Sequence, residues 1–393
     1  MPYEEKIARL RGELDGLRDP DFGFIRAGRP RYDRLFGRDS LIVAWQRLER
    51  EPRLAAATIR VLASMQGRVT DPINEEAPGK ILHEWSPTNV PWVRWSFPYY
   101  GSVDATPLFV LVACWTVKRT RDKKLAAEFW PWVRKACGWM TSAMAADPRG
   151  FLSYTPTNPL GLKHQGWKDS WDLGPAWPTA MVEVQGYAYA ALLEAAVLAR
   201  GRDAALAASW RRRAGELRKE FNRRFWLKEK RTCALAVHGG GLLYPAVTSN
   251  PGHLLFTGIL DAKRLPTLIR RLFEKDLFTP YGLRTLSSAE RDFQADAYHK
   301  GSIWPHDNWV ISEGLRVLGC KKERQLIKEA LLAADDALGR LPELFAVSRA
   351  GAVAAIPNAQ YPQAWASGAL LNLLDSSLSA RTALRIGPSS GRG

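Results

Sequence analysis

An all-α fold, an (α/α)6 barrel in which an inner ring of helices is wrapped by an outer one, is what this 393-residue sequence predicts, and three observations predict it. Apolar periodicity and breakers divide the chain into about twelve helices. The connections between them alternate long and short. The helices are also of two kinds, some apolar around nearly the whole circumference and others apolar along one stripe. If successive helices run up and then down, every long connection emerges at the same end, and the polar, aromatic-rich loops gather into one face. An irregular bundle or a solenoid is the competing arrangement, and the lack of a fixed short repeat weighs against the solenoid.

In order, the spacing predicts helices over 3–18, 39–50, 53–66, 105–119, 124–146, 180–200, 203–224, 251–260, 262–274, 302–318, 321–339 and 361–375. The seventh places Leu206, Trp210, Ala214, Leu217, Phe221 and Phe225 three or four residues apart among charged residues, so it buries a single stripe and belongs outside. The sixth (AMVEVQGYAYAALLEAAVL) and the last (YPQAWASGALLNLL) are apolar or small on all sides and belong inside. Residues 1–375 are read as one catalytic barrel, because no Ser/Gly-rich linker or charge block divides them. From Ser376 the basic, small-residue-rich SSLSARTALRIGPSSGRG reads as a frayed tail.

With 46% hydrophobic content the chain can bury a large core. No stretch reaches the roughly 18 apolar residues of a membrane span, and MPYEEKIARL has no signal-peptide hydrophobic region, so a cytoplasmic protein without a membrane partner is expected. Cys114, Cys137, Cys233 and Cys320 are scattered without C-x-x-C spacing and are expected as buried thiols. The net charge of +16 raises a polyanion as partner, but the cations are spread over many helices, and no nucleic acid is expected. His83, His164, His299 and His306 come from different loops without the H-E-x-x-H spacing of a zinc helix, so neither a metal nor another cofactor is expected. The absence of G-x-S-x-G, Walker and G-x-G-x-x-G loops in a strand-turn-helix context removes support for acyl transfer, nucleotide hydrolysis and dinucleotide chemistry.

The chemistry sits in the long loops. Two of them, TPTNPLGLKHQGWKDSWDLGPAWP and GRLPELFAVSRAGAVAAIPNAQ, set a carboxylate among aromatic or apolar residues, where desolvation holds a proton that a free carboxyl would lose. Glycosidic hydrolysis needs such a pair, one protonated and one ionised. Asp169 and Glu343 are the candidates. Glu343 stands between the Leu341–Pro342 turn and Leu344 and Phe345, a frame that would aim its side chain. For Asp169 the adjacent Lys168 would lower its pKa, so Trp167 and Trp171 must outweigh that cation; the alternative is that Asp169 braces the loop while Lys168 and Asp172 pair at the surface. In RLFGRDSL, Asp39 and Ser40 stand where a helix N-cap would fall, whereas the Arg38 guanidinium can fork onto two sugar hydroxyls with Asp39 accepting from a third. The second loop, with three Trp, two Tyr, His83, Glu84 and Asp104, suits stacking on a pyranose or plugging one loop onto the next. Arg284, and then Trp304, His306, Asp307 and Asn308, are sugar contacts or structural hydrogen-bonders.

These loops resemble those of the amylo-α-1,6-glucosidase family, the glucosidase barrel of glycogen debranching enzymes in the six-hairpin glycosidase superfamily. The similar segments are LFGRDSL at 35–41, GKILHEW at 79–85, YYGSVDATPLF at 99–109, QGWKDSWD at 165–172, VEVQGYAYAAL at 182–192, SNPGH at 249–253, GLRTLS at 282–287, GSIWPHDN at 301–308, LPELF at 341–345 and PQAWASGA at 362–369, all in family order. The resemblance implies an (α/α)6 barrel that hydrolyses an α-glucosidic bond, α-1,6 or related, with inversion, as trehalases and processing glucosidases do. Asp169 would be the general acid and Glu343 the base. Arg38, Asp39, Trp167, Trp304 and His306 would surround the sugar, with His83, Glu84, Tyr100, Asp104, Lys168 and Arg284 as further contacts. The chain departs from the pattern in that its first expected barrel helix begins almost at Met1, where bacterial relatives commonly carry a β-rich domain, in continuing AVSRAG after PELF, in carrying Tyr361 where a Cys-Ser pair is usual, and in the short LGPAWP rim. These departures argue against a glycogen-type polymer. The rival substrates are a trehalose-like glucoside and a glucosylated small acid, the latter drawing on the positive charge, and the rival class is a sugar-binding barrel without catalysis.

Overall fold

The computed structural model describes residues 2–171, 173–174 and 176–375, so the basic tail from Ser376 and Asp172 lie outside the described residues. Eleven α-helices and a 3-10 segment appear close to the expected positions: α1 (Tyr3–Leu17), α2 (Gly37–Arg47), α3 (Pro52–Ser64), α4 (Ala105–Thr120), α5 (Lys123–Ala146), α6 (Val182–Ala199), α7 (Ala204–Arg224), α8 (Leu265–Leu272), α9 (Pro305–Leu318), α10 (Lys321–Leu338) and α11 (Ala364–Leu374), with the 3-10 segment over Asn250–Phe256. The expected eighth α-helix, 251–260, is thus corrected to 3-10 geometry ending at Phe256. Pro251 and Gly252 stand in its first turn and Gly258, at φ +78°, lies just beyond it, leaving little chain from which to build i to i−4 bonds.

The inner ring closes. In order, α2, α4, α6, the 3-10 segment, α9 and α11 each pack on the next, and α11 returns to α2. Outside it, α1 packs on α11, α3 on α2 and α4, α5 on α4 and α6, α7 on α6, α8 on the 3-10 segment, and α10 on α9 and α11. This is the (α/α)6 barrel that the two kinds of helix predict. All of α11 is buried, as is most of α6, whereas α7 buries one stripe through Ala207, Trp210, Ala214, Leu217 and Phe221.

The two ends of the ring are built differently. At one end inner helices pass to outer ones through short turns: Asp122 and Asp203 cap α5 and α7 by accepting from Lys124, Leu125 and Leu206 amides, and Gly319 ends α9 in the left-handed region. At the other end every return from an outer to an inner helix is long, over 18–36, 65–104, 147–181, 225–249, 273–304 and 339–363. Short antiparallel strands that the helical periodicity does not show tie these loops together, including Leu35–Phe36 on Glu84–Trp85, Ala180–Met181 on Ala236–Val237, and Phe345–Val347 on Val353–Ala355.

One of these pairings also moves a helix start. Gly37 donates its amide to the His83 carbonyl at 2.8 Å, and a Cβ there would run into the Leu82 carbonyl, so only glycine lets the second loop lie this close. Helix α2 accordingly begins at Gly37, and Asp39 and Ser40 fall inside its first turn rather than at an N-cap. Among the described residues no helix is long and apolar enough to cross a membrane.

Candidate active site

Because all six inner segments start at the long-loop end, their first turns meet around the barrel axis. They bring Arg38 and Asp39 from α2, Asp104 before α4, Glu183 from α6, Asn250 and His253 from the 3-10 segment, and His306 and Asp307 from α9, all buried. Above this layer opens a cavity of about 310 Å3 whose wall includes Arg38, Asp39, Trp167, Asp169, Trp304 and Glu343. The two candidate carboxyls, from the third and sixth long loops, therefore face one hollow.

Asp169 is 27% exposed toward that hollow, and its Oδ2 lies 3.6 Å from Arg38 Nη2. Burial pushes its pKa up to about 7 against the pull of Arg38, with Asp104 and Glu84 adding to the rise. The contest with Lys168 resolves by direction: the Lys168 ammonium turns away to donate to the Thr285 carbonyl at 2.6 Å and the Ser249 hydroxyl at 3.2 Å, beneath the faces of Trp167 and Trp171. Burial lowers the Lys168 pKa to about 8, with Asp307 and Glu183 opposing.

Glu343 is 1% exposed. Its Oε1 accepts from the Tyr298 hydroxyl at 2.6 Å and its Oε2 from the Gln360 amide at 3.0 Å, while its own amide donates to the Gln360 carbonyl. Burial pushes it up to about 7 against those two hydrogen bonds, and Asp169 adds to the rise. Asp39, also in the wall, is pushed up to about 7 by burial, against Arg38. Arg38 binds these groups together, with Nη1 3.3 Å from Asp104 Oδ2, while Asp104 Oδ1 accepts from the Ser102 hydroxyl at 2.7 Å.

Aromatic walls shape the rest. Trp304 stacks on His299 (4.9 Å, 19°) and meets Trp167 edge to face at 5.8 Å, and its indole nitrogen donates to the Tyr298 carbonyl at 2.8 Å. Behind Trp167, the Tyr187 hydroxyl contacts His253 Nδ1 at 2.5 Å and His253 Nε2 contacts Asp307 at 2.7 Å, a buried chain that holds the floor rigid.

Of the sequence-predicted residues, Arg38, Asp39, His83, Glu84, Trp167, Asp169, Trp304 and Glu343 line the cavity. The carboxylate oxygens of Glu84 are taken by Arg34 at 2.6 Å and the Trp95 indole at 2.7 Å, so within the wall it braces the second loop. Tyr100, Asp104, Lys168, Arg284 and His306 are not among its lining residues. Tyr100 donates instead to the Met65 carbonyl at 2.6 Å, and Asp104 and Lys168 stand one layer back. Arg284 clamps the carbonyls of Val347 and Ser348, fixing the hairpin that follows Glu343. His306 stacks flat on Trp365 at 3.7 Å, and Trp365 is the one that reaches the wall. Ser40 donates to the Ile25 carbonyl at 2.8 Å, and His164 is held by Tyr154 and the Leu173 amide in the third loop.

Sequence reasoning missed Arg31, Tyr32, Tyr298, His299 and Trp365 as wall residues, while Trp92 and Trp95, two of the three Trp offered for stacking, do reach the wall. Three of the missed residues carried a signal. Tyr298 and His299 stand just before GSIWPHDN, and Trp365 lies within PQAWASGA.

A hollow at the loop end of an (α/α)6 barrel, walled by three carboxyls that burial pushes up to about 7, Asp39, Asp169 and Glu343, fits a glycoside hydrolase of the six-hairpin kind. Within that class, the chain belongs to the mannosylglycerate hydrolase MGH1-like glycoside hydrolase family, whose model matches residues 32–347. The superfamily is the one the loop motifs imply, but the matching family is not amylo-α-1,6-glucosidase, and that linkage specificity finds no support in it. Among solved structures, the chain is similar to the GH63 mannosylglycerate hydrolase of Thermus thermophilus in complex with Tris (14% identity, TM-score 0.72) and in complex with glucose (16% identity, TM-score 0.70), covering 95% of this chain and 99% of that one in each case. A rhamnosidase from Klebsiella oxytoca with rhamnose bound aligns over 94% of this chain and 63% of its own (15% identity, TM-score 0.64). A comparison with curated proteins finds no match.

Proposed function

We propose that this protein is an inverting hydrolase of a small α-glycoside whose leaving group is a short acid. Asp169 protonates the glycosidic oxygen as the bond to the anomeric carbon breaks. Glu343 removes a proton from a water that attacks that carbon from the opposite face, so the released sugar has the inverted configuration. Arg38 and Asp39 bond the sugar hydroxyls, and Trp167 and Trp304 pack against its apolar face. The observation that carries the reading is that Asp169 and Glu343, both pushed up to about 7, wall one cavity of about 310 Å3, a volume at the low end for ligand pockets, roughly 300–1,000 Å3. A small glycoside suits that volume better than an α-1,6-branched polymer does.

The charge of the wall supports an acidic leaving group. Three guanidinium groups line it; Arg34 is paired with Glu84 and Arg38 with Asp104, but Arg31 has no carboxylate partner among the described residues. Arg31 is exposed and lies 5.9 Å over the Trp92 ring at the mouth. The Thermus thermophilus mannosylglycerate hydrolase has also been captured with Tris and D-glycerate together, which supports a carboxylate in the corresponding place here. Arg31→Gln is expected to raise KM by about 10–100-fold for a glycosylated acid, the worth of one charge-assisted hydrogen bond, while leaving its methyl ester almost unaffected. Equal losses on both substrates would remove the acid from the assignment.

Hydrolysis of a panel of purified α-glycosides tests the whole reading, with glycosyl glycerates, trehalose and an α-1,6-linked glucoside included and NMR of the first-formed anomer as readout. Retention of configuration, or turnover of the α-1,6 glucoside alone, would overturn it.

The same pair of groups sets the pH dependence. The working state has Asp169 protonated and Glu343 ionised, so the rate falls at low pH as the base takes up a proton and at high pH as the acid loses one. With both groups pushed up to about 7, kcat/KM is expected to follow a bell centred close to neutrality whose two limbs belong to the pair. A plateau extending from pH 5 to 9 in kcat/KM would contradict the assignment.

A further inference from the structure

We propose that Tyr298 is a positioning residue for the water-activating carboxylate, its hydroxyl holding Glu343 ionised and aimed at the sugar, with Tyr32 as the donor behind it. The proposal rests on the reading of Glu343 as the base and adds to it the groups that keep the base ready.

The geometry is specific. Glu343 sits at a turn, and its two oxygens have two different protein donors: the Gln360 amide on Oε2 at 3.0 Å and the Tyr298 hydroxyl on Oε1 at 2.6 Å. The first comes from backbone and its direction is fixed by the reciprocal bond from the Glu343 amide to the Gln360 carbonyl. The second comes from a side chain on another long loop, and that side chain is itself immobilised. The Tyr298 ring meets Trp304 edge to face at 4.9 Å and 88°, and His299 at 4.7 Å and 71°. Its carbonyl accepts from the Trp304 indole at 2.8 Å and from the Ser302 hydroxyl at 2.7 Å. A hydroxyl mounted this rigidly fixes where Oε1 points, and each carboxylate oxygen keeps a second lone pair free to receive a proton from water.

The direction of donation follows from charge. A phenol has one proton, and Tyr298 has two oxygen neighbours, Glu343 Oε1 and the Tyr32 hydroxyl at 3.5 Å. The charge-assisted bond to the carboxylate is the stronger, so Tyr298 donates to Glu343 and accepts from Tyr32. Burial first, and then the Glu343 charge, push Tyr32 up to about 12 and Tyr298 well above its ordinary value. Both phenols keep their protons throughout the working range and act as standing donors, not as acids or bases. Their effect opposes burial. Desolvation drives Glu343 toward the neutral form, in which it cannot take a proton from water, and the Tyr298 donation favours the ionised form.

The test compares Tyr298→Phe, Tyr32→Phe and Glu343→Gln with the unaltered protein across the pH range. Tyr298→Phe preserves the ring and its contacts and removes only the hydroxyl. The acid limb of kcat/KM is expected to move up by about one pH unit, the size of one hydrogen bond to a charged group, with kcat at pH 6 lower by about tenfold and KM changed by less than roughly threefold. Tyr32→Phe is expected to move the same limb in the same direction by a smaller step, and it carries the test should Tyr298→Phe fail to fold. An acid limb that stays in place in a folded Tyr298→Phe, or a change confined to KM, would overturn the proposal. If Tyr298→Phe does not fold, an unmoved limb in Tyr32→Phe would do the same. Glu343→Gln separates this from the reading beneath it: retained activity there would dismiss Glu343 as base, whereas an inactive Glu343→Gln beside an unaltered Tyr298→Phe would dismiss the tyrosine alone.

Discussion

Asp169→Asn is expected to give a folded protein whose turnover of an alkyl or acid glycoside is lower by about two to four orders of magnitude, the usual worth of a positioned general acid. An amide keeps the shape of the carboxyl and most of its contact with Arg38, so the loss reports the proton and not the packing. The fold should tolerate the change, because neutralising a carboxyl that burial already holds near 7 removes a charge that was costly to keep. The character of the loss is diagnostic. A leaving group that departs as a stable anion, such as fluoride from a glycosyl fluoride, does not need protonation, so the variant should lose little on that substrate. Near-normal turnover of an unactivated glycoside by the purified variant would remove Asp169 from the acid role.

Glu343→Gln is expected to lose turnover on a similar scale, but on every substrate, fluoride included, because water activation is needed whatever departs. The glutamine would still fill the space between Tyr298 and the Gln360 amide. Its oxygen can still accept from the Gln360 amide while its NH2 donates to the Tyr298 hydroxyl, whose own proton then turns toward Tyr32, so stability should change little beside the kinetic loss. A variant that hydrolyses the fluoride at the unaltered rate would exclude Glu343 as base. Taken together, the two variants separate bond breaking from water attack, which neither can do alone.

The sequence shows the ring of helices because that ring is a matter of periodicity. Helices α6 and α11 are apolar on all faces, α7 on one, and each such pattern has a single packing that buries it. The ends of elements were less legible. Asp39 and Ser40 read as caps, but the start of α2 is set by the pairing of Leu35–Phe36 with Glu84–Trp85, a contact between residues far apart in the chain. The 3-10 segment at Asn250–Phe256 carries the apolar spacing of a helix without the length to become one.

For the site, the Asp169 and Glu343 positions were readable as acids amid apolar neighbours, but the direction of a side chain was not. Lys168, next to Asp169 in sequence, points to Thr285, while Arg38, more than a hundred residues away, faces it. Arg284 and Tyr100 bear groups suited to sugars and spend them on backbone carbonyls. Tyr298 and Trp365, which the sequence reading did not single out, reach the wall. Which of several polar residues on a loop turns inward is decided by its partners across the cavity, and no local pattern records them.

The contrast between the tight turns at one end of the ring and the extended returns at the other bears on how such an enzyme diversifies. Load-bearing helices and specificity-setting segments occupy opposite poles, so exchanging or resizing a return can recast the leaving-group pocket while the cylinder below stays put. Catalytic machinery is only partly sheltered from that freedom. Asp169 and Glu343, the proposed acid and base, are themselves carried by returns, and each is anchored to a different neighbour, Arg38 for one and Tyr298 for the other. A graft that preserves those two anchors should keep the chemistry while admitting a new partner for the sugar.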